Sequence, residues 1–212
     1  MEIWLDTTYP DDILKAFRLG VLSGITTNPT LIAQNGSGTK SILDTMLHHQ
    51  EGPVAIQVLA EQAEGMVNQG QMFFDLSDRL IIKVPVTEQG LEAIYRLSRQ
   101  GIPTMATAIF HSHQGIMAAL AGANYLAPYI GQIEAAGEDP WTLLSTVTKF
   151  IQNYKLPTKI LGASIKTIHH FTKCAEMGIW GVTLKPQVFE EVISTVPLTL
   201  DAVNQFSLSL SP

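Results

Sequence analysis

Arg79-Leu80-Ile81-Ile82-Lys83-Val84-Pro85-Val86 is a run of strand-forming apolar residues with one lysine inside it. Short, β-branched and closed by Pro85, it reads as a strand buried on both faces, as in a parallel sheet covered by helices. A charge has no cheap place there. Lys83 either snorkels its head to water from the strand end or serves as an amine nucleophile, burial favouring its neutral form. The magnitude matters, because an ordinary lysine with pKa near ~10.4 is neutral in only about one molecule in ~2500 at pH 7. Half-neutrality at pH 7 would need a fall of ~3.4, or ~4.6 kcal/mol, which burial and neighbours together can supply.

Outward from this strand, short apolar runs alternate with helical stretches about eight times. The strand candidates are residues 2–6, 23–27, 54–59, 79–84, 102–108, 124–128, 159–164 and 179–184. Helical patterns fill the gaps, as in 87–100, where Leu91, Ile94, Tyr95 and Leu97 form an apolar stripe. Strands alternating with helices imply parallel pairing and right-handed crossovers. Eight such units in 212 residues fit an α/β fold of the (β/α)8 TIM-barrel type, at the short end of its range. A doubly wound open sheet competes, but Gly36-Ser37-Gly38 lacks the spacing of a dinucleotide fingerprint. No linker-like stretch interrupts the chain, so residues 1–212 are read as one domain with a C-terminal helical extension. In that extension Pro197 separates two helical turns, 186–193 and 199–206.

The bulk numbers narrow the functions. Hydrophobic residues at 46% and charged residues at 15% describe a globular protein. A net charge of −6 offers no footprint for nucleic acid, and a small anionic substrate would need a local positive pocket. Cys174 is the single cysteine, so no intramolecular disulfide forms and a cytoplasmic location is expected. Residues 100–133 lack Asp, Glu, Lys and Arg, yet His111-Ser112-His113-Gln114, Pro103 and Pro128 break any membrane-spanning helix. They read as buried barrel, with no membrane partner.

Barrel chemistry sits at the strand exits, and alternate residues point inward. Placing Lys83 inward above Ile81 gives Asp6 above Trp4, Thr26 and Asn28 above Gly24, Gln57 above Ala55, and Thr107 above Met105. Tyr129 then lies above Ala127 and Ser164 above Gly162. Polar groups thus ring an amine. That layout suits imine formation with a ketone, followed by making or breaking of the adjacent carbon–carbon bond. Gln57, Thr107 and Tyr129 could hold a proton-transferring water, and Asp6 could orient a substrate hydroxyl and act as acid or base. Thr26 and Asn28 suit donor binding, although Asn28-Pro29 is equally a turn opener. Ser164 and Lys166, at a helix entrance, form a candidate phosphate grip, whereas Lys185 reads as a solvated surface lysine. His111 and His113 should diverge at a helix start with no third ligand, so no metal is expected. His48-His49 and His169-His170 are assigned to solvated helix faces.

Leu5-Asp6-Thr7, Gly24-Ile25-Thr26-Thr27-Asn28-Pro29, Ala63-Glu64-Gly65-Met66, Ile82-Lys83-Val84-Pro85 and Ala127-Pro128-Tyr129 together resemble the small-transaldolase and fructose-6-phosphate aldolase family. The match is collinear from Met1 to about Ile193. The resemblance implies a TIM barrel, a Schiff base on Lys83, no metal or cofactor, donor contacts at Ala127, sugar or sugar-phosphate substrates, and a homo-oligomer, either pentamer or decamer. It also implies the aldolase branch, which carries Gln and Tyr where Gln57 and Tyr129 stand; transaldolases carry Glu and Phe. One position departs, since Gln132 stands where the family places an arginine near the phosphate, removing a bidentate clamp. The resemblance therefore implies a class I aldolase acting on fructose 6-phosphate or a similar sugar. A transaldolase and a non-catalytic sugar-phosphate-binding barrel are the alternatives.

Overall fold

A computed structural model of the chain describes residues 1–209. The first half runs β1 (Glu2–Asp6), α1 (Pro10–Arg18), β2 (Leu22–Thr26), α2 (Pro29–Asn35), α3 (Thr39–His49), β3 (Val54–Gln57), α4 (Ala63–Phe74), β4 (Leu80–Pro85) and α5 (Glu88–Arg99). The second runs β5 (Thr104–Ile109), α6 (Ser112–Leu120), β6 (Tyr125–Pro128), α7 (Ile130–Ala135), α8 (Pro140–Asn153), β7 (Lys159–Gly162), α9 (Ile168–Glu176), β8 (Gly181–Leu184), α10 (Pro186–Ile193) and α11 (Pro197–Ser209).

All eight strands pair in parallel, and β1 pairs with both β2 and β8, closing the sheet. This is a (β/α)8 TIM barrel, and closure excludes the open doubly wound sheet. The expected strands agree with the observed ones to within one or two residues at most ends. Helix α5 shows how far the local reading works, for Ile94 and Leu97 of its expected stripe are buried while Tyr95 is exposed. Thr87 caps it by accepting a hydrogen bond from Gly90 N–H, Arg96 and Arg99 sit in its last turn, and Ala93, Ile94 and Leu97 are buried against the sheet.

Two apolar layers follow from the period of two. Outward-facing Leu5, Ile25, Ile56, Ile82 and Leu126 pack under the helices, and Trp4, Ala55, Ile81, Met105, Ala127, Leu161 and Ala163 fill the barrel interior. At the N-terminal end Trp4, Tyr125 and Trp180 meet ring to ring at 5.3–6.1 Å. The Lys159 ammonium stands 4.4 Å from the Trp180 ring, completing a floor. Gly24 is required beside this layer, because a Cβ there would come within 2.9 Å of both the Trp4 ring and the Pro53 carbonyl.

Three expectations are corrected. On β7 it is Leu161 and Ala163 that face inward, while a side chain at Gly162 would meet Ile130, Ile179 and Cys174 on the helix side. Parity fails there because the strand ends at Gly162 and the chain turns before Ser164. In the tail, Pro197 begins α11 instead of separating two turns, since a proline at the first helical position loses no hydrogen bond. The His111 and His113 rings are stacked, 5.7 Å apart and 11° from parallel, instead of diverging. Among the described residues no three His, Cys, Asp or Glu side chains are grouped to hold a metal ion. Nor is any described helix long and apolar enough to cross a membrane. Burial pushes the Cys174 thiol up to about 12, leaving it unreactive at neutral pH.

Candidate active site

A cavity of about 420 Å³ opens at the C-terminal ends of the strands. Every site residue expected from the sequence lines it: Asp6, Thr26, Asn28, Gln57, Lys83, Thr107, Ala127, Tyr129, Ser164 and Lys166. Lys83 lies at its base, on a strand whose residues from Leu80 to Val84 are all buried. The side chain is 5% exposed, so it does not snorkel. Its ammonium donates to the Thr27 carbonyl at 2.6 Å. Desolvation lowers its pKa from the ordinary lysine value, and the nearby Asp6 carboxylate partly opposes the fall. The neutral amine is thereby more accessible than on a surface lysine.

Around Lys83 the polar groups form two connected sets. On the β1–β2 side the Asp6 carboxylate accepts from Thr26 Oγ1 at 2.8 Å and from Asn28 Nδ2 at 3.4 Å. Asn28 also caps α2, its Oδ1 accepting from Leu31 N–H at 3.1 Å. Turn chemistry and site chemistry therefore coincide in one side chain. On the β5–β6 side Thr107 Oγ1 and the Tyr129 hydroxyl lie 3.0 Å apart. Thr107 faces inward two places after the interior Met105, in regular register with β4, and the β5–β6 register shifts between Ala106 and Ile109, with Ala108 at φ 57°. Phe110 stands edge-on to Tyr129 at 5.5 Å and fixes the phenol. Gln57 is the register partner of Lys83 on β3 and faces the same space.

The rim carries the positive charge that a chain of net −6 needs for an anionic ligand. Lys83, Lys166 and Lys185 line the cavity against a single acid, Asp6. Lys185, read from sequence as a solvated surface lysine, is exposed yet belongs to this rim. The end of β8 brings it there. Ser164 reaches the cavity through a left-handed backbone (φ 57°) rather than through strand parity. Its Oγ is buried and without a hydrogen-bond partner, as an acceptor or donor kept for a ligand would be. Gln132, from α7, lines the same edge.

Sequence reasoning missed one buried polar residue here. Thr183 on β8 bonds Thr26 Oγ1 at 2.7 Å and so extends the Asp6 network; strand parity from Leu184 was the available signal. It also misplaced His170, which is buried at 2%, its Nε2 lying 2.7 Å from Glu134.

Comparisons with known proteins agree with the fold and show the family. The family described as Transaldolase/Fructose-6-phosphate aldolase matches residues 3–209. A protein of Coprothermobacter proteolyticus named "Probable transaldolase" is 38% identical over 97% of this chain and 94% of its own. One of the same name from Aquifex aeolicus is 34% identical over the same shares. Among solved structures, an inosine 5′-monophosphate dehydrogenase from Legionella pneumophila aligns with TM-score 0.62 at 14% identity, over 89% of this chain and 58% of that one. A putative phosphonomutase from Burkholderia cenocepacia aligns with TM-score 0.60 at 12% identity, over 96% and 93%. At such identities these two show the barrel alone.

Proposed function

For a chain that belongs to the transaldolase/fructose-6-phosphate aldolase family, we propose a class I aldolase that cleaves or forms fructose 6-phosphate or a similar sugar. The donor is dihydroxyacetone or a related small ketone, and the acceptor is glyceraldehyde 3-phosphate or another aldehyde. The observation that carries the reading is Lys83, an amine held in an apolar strand at the base of the cavity with its pKa lowered.

In the proposed reaction the neutral Lys83 amine attacks the ketone carbonyl, and loss of water gives an iminium. The iminium accepts the electron pair released when the adjacent carbon–carbon bond breaks. Protons move through a water held by Gln57, Thr107 and Tyr129, and the Tyr129 hydroxyl, 3.0 Å from Thr107, serves as the acid. Asp6, steadied by Thr26 and Asn28, orients the hydroxyl of the reacting carbon. Ala127 leaves room for the donor at the base. Ser164 and Lys166 receive the far end of the acceptor. No cofactor is needed by this chemistry, because the lysine itself supplies the electron sink.

A transaldolase is the second reading, favoured by the names of the relatives. Against it stands the Tyr129 phenol, which can protonate the donor carbanion and so release the free ketone. Borohydride reduction in the presence of dihydroxyacetone, followed by peptide mapping, tests the Schiff base; an unmodified Lys83 refutes it. Donor release measured with and without erythrose 4-phosphate separates lyase from transferase. Strict dependence on the acceptor would favour transfer. Sugar-phosphate binding without turnover under any donor would favour a non-catalytic barrel.

The assembly is proposed to be a cytoplasmic homo-oligomer. Leu198, Leu200, Val203 and Phe206 of α11 are all exposed, apolar surface that another copy would cover. Sedimentation of the chain truncated after Ser194 should show loss of the assembly; an unchanged mass would remove α11 from the interface.

A further inference from the structure

The loop from β7 to α9 carries Ser164 and Lys166, and its shape does not hold itself. Ser164 sits in the left-handed region, which a serine keeps only where its surroundings impose it. Two of the ties come from backbone: Ile130 N–H donates to the Ala163 carbonyl at 2.9 Å and Gly131 N–H to the Ser164 carbonyl at 3.0 Å. The fit is close, since a Cβ on Gly131 would come 2.4 Å from the Ser164 oxygen and 2.5 Å from Lys166 Cγ. The third tie is a side chain. Lys166 N–H donates to His170 Nδ1 at 3.3 Å.

That bond fixes the imidazole. A backbone N–H only donates, so Nδ1 is a bare acceptor and the ring proton sits on Nε2. Nε2 then donates to Glu134 on α7 at 2.7 Å. The Trp141 ring stands edge-on to His170 at 5.9 Å and closes the remaining side. Helices α7 and α9 therefore clamp the loop between them.

We propose that His170, oriented by Glu134, is a positioning residue for the acceptor end of the reaction. It touches no reacting atom; it holds the loop that presents Ser164 Oγ and the Lys166 ammonium. The inference rests on the aldolase reading above and assigns to the His170–Glu134 pair the placement of the acceptor and not of the donor.

The test compares borohydride trapping of dihydroxyacetone with the steady-state KM for glyceraldehyde 3-phosphate. In His170→Ala trapping should match the unmodified protein, while acceptor KM rises roughly five- to tenfold, about the worth of one hydrogen bond, and kcat holds. His170→Asn places an acceptor oxygen where Nδ1 lies and should restore KM to within about twofold, whereas His170→Gln should not. An unchanged KM in His170→Ala, or trapping and acceptor binding lost together, overturns the proposal. If His170→Ala does not fold, the Asn and Gln variants make the same comparison, and equal KM values in the two overturn it. Failure of the unmodified protein to trap would remove the aldolase reading itself, a result visible before any variant is made.

Discussion

Replacing Lys83 with methionine should make the protein more stable while abolishing its covalent chemistry. Methionine preserves most of the buried aliphatic stem, so the cavity left behind is small. What disappears is the ammonium of a residue that is 5% exposed, which holds one carbonyl at 2.6 Å. Loss of that charge-assisted bond costs about 1.5–3 kcal/mol, whereas the burial penalty of an ion is several kcal/mol. The net gain at pH 7 is about 2 kcal/mol, or about 4–8 °C in Tm for a domain of this size. The pH dependence gives the sharper check. Burial lowers the folded pKa of Lys83, so between that value and ~10.4 the unfolded chain binds the extra proton and stability rises with pH. The methionine variant lacks this gain. Its advantage should therefore be full at pH values below the lowered pKa and should close toward pH ~10.4. Urea denaturation of both proteins from pH 6 to 10 measures it. A variant less stable at pH 7, or a gap constant with pH, would refute the claim that the ammonium is held against its burial.

Tyr129→Phe should lower release of free dihydroxyacetone by about 10²-fold or more, the usual loss for a positioned acid, with transfer to erythrose 4-phosphate less affected; assays run in parallel check the ratio. Gln132→Arg should tighten phosphorylated acceptors and leave unphosphorylated aldehydes unchanged, since a guanidinium adds a bidentate phosphate contact at the cavity edge; equal KM values for both classes would count against it. Gly24→Ala should destabilise by about 1–3 kcal/mol, because neither the fully buried Trp4 nor the Pro53 carbonyl can yield to the new Cβ. Its denaturant midpoint against unmodified protein is the measurement.

Much of the barrel was legible because period two holds wherever a strand is regular. Asp6, Gln57 and Lys83 each sit above an interior residue of their own strand, and the structure keeps them so. Legibility ends where the backbone leaves the β region. Ser164 was placed in the site by carrying alternation past the end of β7, whose alternation in fact points Leu161 and Ala163 inward; a left-handed turn delivers the serine instead. His170 failed for a different reason. On α9 the apolar pattern marks no burial at a histidine, and its partners Glu134 and Lys166 come from a distant helix and a loop. Lys185 likewise looks solvated in the chain, and only closure of β8 onto β1 brings it to the rim.

The floor of Trp4, Tyr125 and Trp180 has a kinetic consequence. With the N-terminal end stoppered by rings packed edge and tilt against one another, the chamber opens at the C-terminal ends of the strands, and Lys83 stands at its base. Traffic through that opening must queue. In the proposed synthesis the ketone has to arrive first, because an aldehyde already seated at Ser164 and Lys166 would block its passage to the lysine. In cleavage the aldehyde must depart before the ketone. Product-inhibition patterns should accordingly be those of an ordered sequence, with the ketone as first substrate in and last product out.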